Sequence, residues 1–353
     1  MLNPKLYLIG HAPMRVRLVA ATLAAAAAGA SGESLQPGAA ETLRSIAALP
    51  PHLVGRFGDP SGFQQAADGR FFVVDRRGHT VSRIDAAMTT ATPLIAIGHE
   101  LGRILLPFGF DLGEGEFAVA DAPTGAGRVQ VFTTSGSRIS AFTLASRPEA
   151  RVQLDGLVLN GPGSMRFTAA RTILLNQPET GALVTEYDIR GGALRSIGTL
   201  RSTPHDADRQ LTLAFNAGLP VPLPDGSLYF VFQTGEPRFR KYTAEGALAF
   251  ERAIQGPELD ALLQSQPTVW PGRSGDQADR IPVVRPLVRA AAADSEGQLW
   301  ISFTVPYTYV YDRRGEKVRT VQFAAAGIVR PTSLFFAADG RLLVTPGCYL
   351  FRP

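Results

Sequence analysis

The sequence predicts an all-β fold, a six-bladed β-propeller of four-stranded antiparallel blades whose last blade is closed by the N-terminal strand. Three observations predict it. The first is an internal repeat. A glycine, usually after an acidic residue, is followed by one further residue and a β-prone apolar run. It recurs as DGRFFVVD (68–75), EGEFAVAD (114–121), DGSLYFVF (225–232), EGQLWISF (296–303) and DGRLLVTP (339–346), with a degenerate copy in ARTILLNQ (170–177), anchored at Ala170. The second is the neighbourhood that the copies share. A proline or glycine and an apolar strand precede each copy; an alternating strand, a turn that is often Gly-centred and a further strand follow. Alternation at period two marks half-buried strands. The third concerns the two ends. The sixth copy reaches only its third strand, at Phe351, while a spare strand-like segment, HLVGRFG (52–58), precedes the first copy. A strand from one end that completes the sheet of the other removes exposed edges and locks the ring.

In chain order, residues 1–30 read as a signal peptide. Arg15 and Arg17 form a charged start, Leu18 to Ala28 a short apolar run, and Ala28-Gly29-Ala30 a small-x-small cleavage pattern. Met14 is an alternative start. The run is too short and too rich in alanine for a membrane span. The mature chain is therefore expected to be periplasmic or secreted. Residues 31–47 read as a linker, mildly helical over 39–48, and 48–353 as the propeller. The third strands are expected at 81–85, 128–133, 183–188, 238–243, 308–312 and 348–351. The fourth are expected at 93–98, 138–144, 193–200, 247–254 and 317–323. The largest insertion, 254–283, follows the fourth blade. There Pro257 can open a helix, with Glu258 and Asp260 in its positive first turn, and Trp270 is a candidate anchor for a partner at the channel mouth.

Composition narrows the function. With 45% hydrophobic and 19% charged residues the chain is globular, not disordered. Its formal charge of +4 invites a nucleic-acid reading. Residues 1–30, however, carry Lys5, Arg15 and Arg17 and no acid, so the mature chain is nearly neutral and that reading loses its support. The single cysteine, Cys348, allows neither an internal disulfide nor a Cys-based zinc site. No nucleophile elbow, phosphate loop or dinucleotide fingerprint is present.

The stretch FGDPSGFQQAADGRFFVVDRRGHTVSRID (57–85) resembles the repeat of the NHL-type six-bladed propellers: a proline-led strand, an acidic-Gly turn, a run ending in Val-x-Asp and an Arg-containing strand. Residues 106–132 are a second match, and the other blades agree in pattern without the closing aspartate. The resemblance implies the architecture over about 50–353. It does not select an activity, because that family includes scaffolds, binding modules, lyases and hydrolases. It makes Asp75 and Asp121 the blade aspartates, either ligand carboxylates or caps on backbone amides.

In propellers the loops between second and third strands, with the inter-blade connections, form the usual binding face. Here these include 76–79, 122–127, 177–181, 234–237, 305–308 and 346–347. The candidates for ligand binding are Arg76, Arg77, His79, Arg103, Arg285, Arg330, Tyr307 and Trp270. Arg285 and Arg330 precede Pro286 and Pro331 at equivalent positions, and Arg103 lies near the start of blade two. If they converge they form a guanidinium cluster suited to carboxylates or phosphates. His52, His79, His99 and His205 do not recur at matching blade positions, so no metal and no cofactor is expected. The reading is a monomeric, exported, non-catalytic binding module for a small molecule or a protein. The alternatives are a lactonase- or lyase-like, metal-dependent propeller enzyme and a structural part of an envelope complex.

Overall fold

The structure, a computed structural model, describes residues 40–144, 152–154, 157–159, 165–267 and 284–353. The leader, most of the linker, Trp270 and the loop after it lie outside these residues.

The protein is an all-β propeller of four-stranded antiparallel blades. After β1 (Glu41–Ala48) and a short helix, α1 (Pro51–Val54), come β2 (Pro60–Gln65), β3 (Phe71–Asp75), β4 (Thr80–Ile84) and β5 (Ala91–Ile95), which pair in that order. The second sheet is β6 (Gly109–Leu112), β7 (Glu116–Asp121), β8 (Arg128–Thr133) and β9 (Arg138–Thr143). A hairpin, β10 (Val152–Leu154) and β11 (Leu157–Leu159), leads to the third: β12 (Met165–Phe167), β13 (Ile173–Leu175), β14 (Ala182–Tyr187) and β15 (Ala193–Thr199). Helix α2 (Arg209–Phe215) precedes the fourth: β16 (Gly218–Pro222), β17 (Leu228–Phe232), β18 (Arg238–Tyr242) and β19 (Leu248–Ala253). A 3-10 turn, Pro257–Leu259, then runs into α3 (Asp260–Gln264), as the proline at 257 predicted.

The remaining strands share one nine-stranded sheet. One meander is β20 (Val288–Ala293), β21 (Leu299–Phe303), β22 (Thr308–Tyr311) and β23 (Lys317–Ala324), to which β24 (Ile328–Val329) adds. The other is β25 (Ser333–Phe336), β26 (Leu342–Thr345) and β27 (Tyr349–Phe351). Strand β1 lies between them, parallel to β23 (Glu41 opposite Val321) and antiparallel to β27 (Ser45 opposite Phe351).

The segment expected to pair with the C-terminal strand, 52–58, is not a strand. Pro51 sits at the first helical position, where its fixed φ suits a helix, and α1 buries Leu53. The pairing strand lies earlier, in residues read as linker. Two unpaired edges, β23 and β27, draw 41–48 into extended form against its mild helical propensity. Arg319 on β23 also pairs with Glu41 at 2.9 Å.

The repeat glycines have one physical cause. Gly69 holds φ near 85° and its amide closes a turn onto the Ala66 carbonyl, a conformation that disfavours any side chain. In the degenerate copy the left-handed residue is Arg171 (φ 58°), whose amide bonds to the Thr168 carbonyl. The true anchor is thus one residue beyond Ala170.

The second strands are buried from end to end because sheets cover both of their faces; β3, β13, β17, β21 and β26 show this, and β7 does from Phe117 on. Apart from a small one of Leu211, Ala214 and Val284 beside α2, each hydrophobic cluster is filled by two consecutive meanders. Phe72 and Val74 meet Phe117 and Val119, while Leu343 and Leu350 of the last meander meet Phe63 and Phe71 of the first sheet. The first strands touch in sequence, β2 to β6, β6 to β12, β12 to β16, β16 to β20, β20 to β25, and β25 back to β2. The strands around the axis are therefore the first of each sheet, and the fourth strands face outward.

Candidate functional site

The sequence-predicted residues are spread over separate connections. Arg76 pairs with Asp59 at 2.8 Å, and Arg77 is exposed, its methylenes lying against Gly58. His79 accepts the Leu106 amide at Nδ1 (2.9 Å), which joins the first sheet to the start of the second. Arg103 is exposed, 3.8 Å from Glu100, and Arg285 and Arg330 are exposed on their own connections. Among the described residues no hydrogen bond, ion pair or ring contact joins these last three. Tyr307 is half-buried against the cluster between the fourth sheet and β20–β22.

The blade aspartates hold backbone. Asp75 accepts the amides of Gly58 and Asp59, each at 2.8 Å. Burial pushes its carboxyl up, but the amides of Gly58, Gly78, Asp59 and Arg77 more than offset this, so it lies below the ordinary value. Asp121 accepts the Leu105 amide at 3.0 Å and both Nε and Nη2 of Arg128.

Around the axis a polar chain crosses four first strands. Gln64 on β2 donates to Asp111 on β6 at 2.9 Å, and the Phe167 amide donates to the same carboxylate at 2.7 Å. Arg166 on β12 lies 3.4 Å from Asp111 and donates to the Ala291 carbonyl on β20 at 2.9 Å. Burial pushes the Asp111 carboxyl up, and Arg166 recovers only part of that cost.

Among the described residues, a cleft that can take a ligand lies on the predicted face, beside the fourth sheet. Its volume is about 600 Å³, within the range of small-molecule sites. Its walls are the connection from β15 to α2, the loop between β17 and β18, the ends of β18 and β19, and α3. The loop at 234–237 and the insertion were both legible as candidates.

Arg201 lies at the heart of this cleft and is 9% exposed. Its Nε donates to the Phe215 carbonyl (2.9 Å), Nη1 to the Glu236 carbonyl (2.9 Å) and Nη2 to the Thr234 carbonyl. Its guanidinium lies 4.4 Å from the centre of the Phe232 ring, whose position matches that of Asp75 and Asp121 in the earlier sheets. Burial, followed by the charge of Arg238, pulls the Arg201 pKa down to about 10, so it remains a cation at neutral pH. No carboxylate is hydrogen-bonded to it among the described residues.

The surroundings hold this group rigidly. Asn216 accepts the Arg201 amide (2.8 Å) and donates to its carbonyl (3.2 Å). Asn176 spans from the Asn216 carbonyl to the Gly218 amide. Helix α2 is capped by Asp208, which accepts from Gln210 and Leu211. His205 stacks on Phe215 with ring centres 5.7 Å apart and planes within 16°. Gly235, at φ 67°, leaves room, since a Cβ there would come within 2.7 Å of both the Arg201 Nη2 and the Phe215 ring. Arg238 binds Glu236 and Glu251, and Arg240 also binds Glu251. Two guanidiniums thus share two carboxylates beside Arg201, and Nε of Arg238 is buried with no partner among the described residues.

Sequence reasoning missed Arg201, His205 and Phe215 as a group. Arginine is abundant throughout the chain, and burial together with bonds to three carbonyls distinguishes this one. Among the described residues no group of three His, Cys, Asp or Glu is placed to hold a metal ion, and no helix is long and apolar enough to cross a membrane.

A propeller with a ligand-sized cleft on its connecting face is the class this geometry defines. Its likeness to solved structures supports the propeller fold. Virginiamycin B lyase from Staphylococcus aureus shares 12% identity at a TM-score of 0.50, covering 81% of this chain and 77% of that one. A catalytically inactive form of that lyase with quinupristin shares 12% identity at 0.51, with the same coverage. At this identity the likeness concerns the fold alone. No family model matches the chain, and no curated protein matches it in sequence.

Proposed function

We propose that this chain is an exported, periplasmic or secreted, NHL-type propeller that binds a small ligand at its connecting face without transforming it. In this reading it has six blades. The ring of first-strand contacts and the hydrophobic cluster between the last meander and the first sheet support six, and β1 completes the last one. The observation that carries the binding reading is the cleft around Arg201: open to solvent on one side, of ligand size, built from rigid ties, and lined by a charged group, a stacked ring pair and the apolar side chains of Ile254 and Leu263. Within it the His205 ring rests on Phe215 with neither ring nitrogen hydrogen-bonded to a carboxylate among the described residues, an arrangement suited to contact more than to general base catalysis. Arg76, Arg77, His79, Arg103, Arg285, Arg330 and Tyr307 belong in this proposal to the wider rim of the same face. The lyase chemistry of the structural neighbours belongs to those proteins.

A ligand screen on the intact chain tests the reading, with Ala253→Trp as the comparison. Ala253 is exposed and lines the cleft, so an indole there fills the site with little cost to the strand. Ligands that raise the melting temperature of the native chain and not of A253W, recovered intact by mass spectrometry, are the expected result. Recovery of a chemically altered ligand would establish an enzyme instead. N-terminal sequencing of protein collected outside the cytoplasm checks export, with a new start near residue 31 expected.

A further inference from the structure

We infer that the ligand of the Arg201 cleft is an anion carried on a flat apolar body, an aromatic carboxylate in the simplest case. The inference rests on the binding reading above and adds to it the chemical class. Three observations carry it.

The first is unspent donor capacity. A guanidinium has five N–H groups, and Arg201 uses three on carbonyls. Two remain on a side chain that lines the cleft. Carbonyls accept hydrogen bonds but do not neutralise charge, and a buried cation lacking a counter-ion is costly. An incoming carboxylate supplies both the missing acceptors and the missing charge, through bonds stronger than neutral ones.

The second is the balance of charge. Arg201 and Arg238 line the cleft with Glu236, and outside its lining Glu251 pairs with Arg238 and Arg240. Glu251 is occupied by Arg238 and Arg240. Glu236 is taken by Arg238 and is 67% exposed at the rim. Neither acid is hydrogen-bonded to Arg201; the charges of both act on it, but so do those of Arg238 and Arg240, so three cations face two acids and a ligand cation would be repelled.

The third is the shape of the apolar part. His205 and Phe215 lie parallel, and Ile254 and Leu263 complete the wall. A flat ring pair beside a guanidinium accepts a planar body by stacking while its acid meets the charge. Gly235 keeps the approach open at this junction, since a Cβ would occupy the space between Arg201 and Phe215.

The test titrates the full chain with phenylacetate, benzylamine and benzyl alcohol, probes of one shape and three charges, by ligand-observed NMR. Phenylacetate is expected to bind at least about tenfold more tightly than the other two, the scale of one charge-assisted hydrogen bond. Arg201→Lys, which keeps the charge but loses the fork, should weaken phenylacetate several-fold and leave benzyl alcohol unchanged. The comparison of three probes on the native chain decides the matter even if that variant folds poorly. Equal binding of all three, preference for the amine, or no binding of phenylacetate overturns the anion class. If A253W still blocks whichever probe binds, the cleft remains the site and only the class fails. If phenylacetate binds A253W as well as the native chain, the site reading fails with it.

Discussion

Arg166, half-buried on the axis of the propeller, and Arg201, buried beneath its connecting face, are satisfied in different ways. Arg166 has a carboxylate, Asp111, and reaches across to a carbonyl of β20, so its charge is answered within the protein. Arg201 has three carbonyls and an aromatic ring, so its geometry is fixed while no carboxylate among the described residues is hydrogen-bonded to it. The first arrangement braces strands. The second, in the binding proposed above, holds a charge ready for a ligand. The difference teaches that pairing, and not burial alone, separates a bracing arginine from a binding one.

The comparison can be broken by mutation, and the largest effect should come on the axis. Asp111→Ala strands the Arg166 cation and frees Gln64 and the Phe167 amide, so about 3 kcal/mol or more should be lost in urea unfolding, as when a buried pair loses one partner. Replacing both members, D111L with R166M, should cost less than D111A alone. Arg201→Met comes next: it leaves carbonyls without donors but no charge without a partner, at about 2 kcal/mol. A larger loss for R201M than for D111A would reverse the roles assigned to the two arginines. Gly235→Ala is smaller still, about 1 to 2 kcal/mol from its left-handed backbone and the contacts of a new Cβ, with ligand binding lost alongside.

The smallest effect is a pH slope. Asp75 lies below its ordinary value, so its contribution is complete above the unfolded value near 3.9 and is lost as pH falls through the lower folded one. Asp111 is raised, chiefly by burial, so its contribution is present below that unfolded value and is lost as pH rises through the higher folded one. The stability advantage of the native chain over D75N should therefore shrink towards pH 2, while its advantage over D111N should grow. Denaturant midpoints measured between pH 2 and 6 check both signs, and parallel slopes would contradict the contrast between the two acids.

Most of the architecture was legible in the sequence because the repeat encodes it locally. A left-handed turn, an apolar run and an alternating strand each leave a signature within a few residues, and strands such as Arg128–Thr133 and Arg238–Tyr242 lie where the alternation placed them. The features that escaped depend on distant partners. Residues 41–48 carry no strong strand signal and become β1 because two strand edges lie free beside them. Met165–Phe167 and Gly218–Pro222 are short first strands whose neighbours define them. The site was legible only as a set of loops. Matching positions drew attention to Arg103, Arg285 and Arg330, which are exposed, whereas Arg201 is set apart by carbonyls contributed from residues 215, 234 and 236.

The position of β1 has a consequence for how the molecule is assembled. The strand synthesised early takes its place between β23 and β27, which are synthesised at the other end. Until those arrive, it has no partner on either side. Closing so long a loop is a slow, high-contact-order event even though its entropic cost grows only gradually with length. Once inserted, β1 must break two ladders to leave, so the step that delays folding also resists unfolding. A chain lacking 41–48 should then differ from the intact one more in its rate of unfolding than in its secondary structure content, and stopped-flow dilution into urea would measure that rate directly.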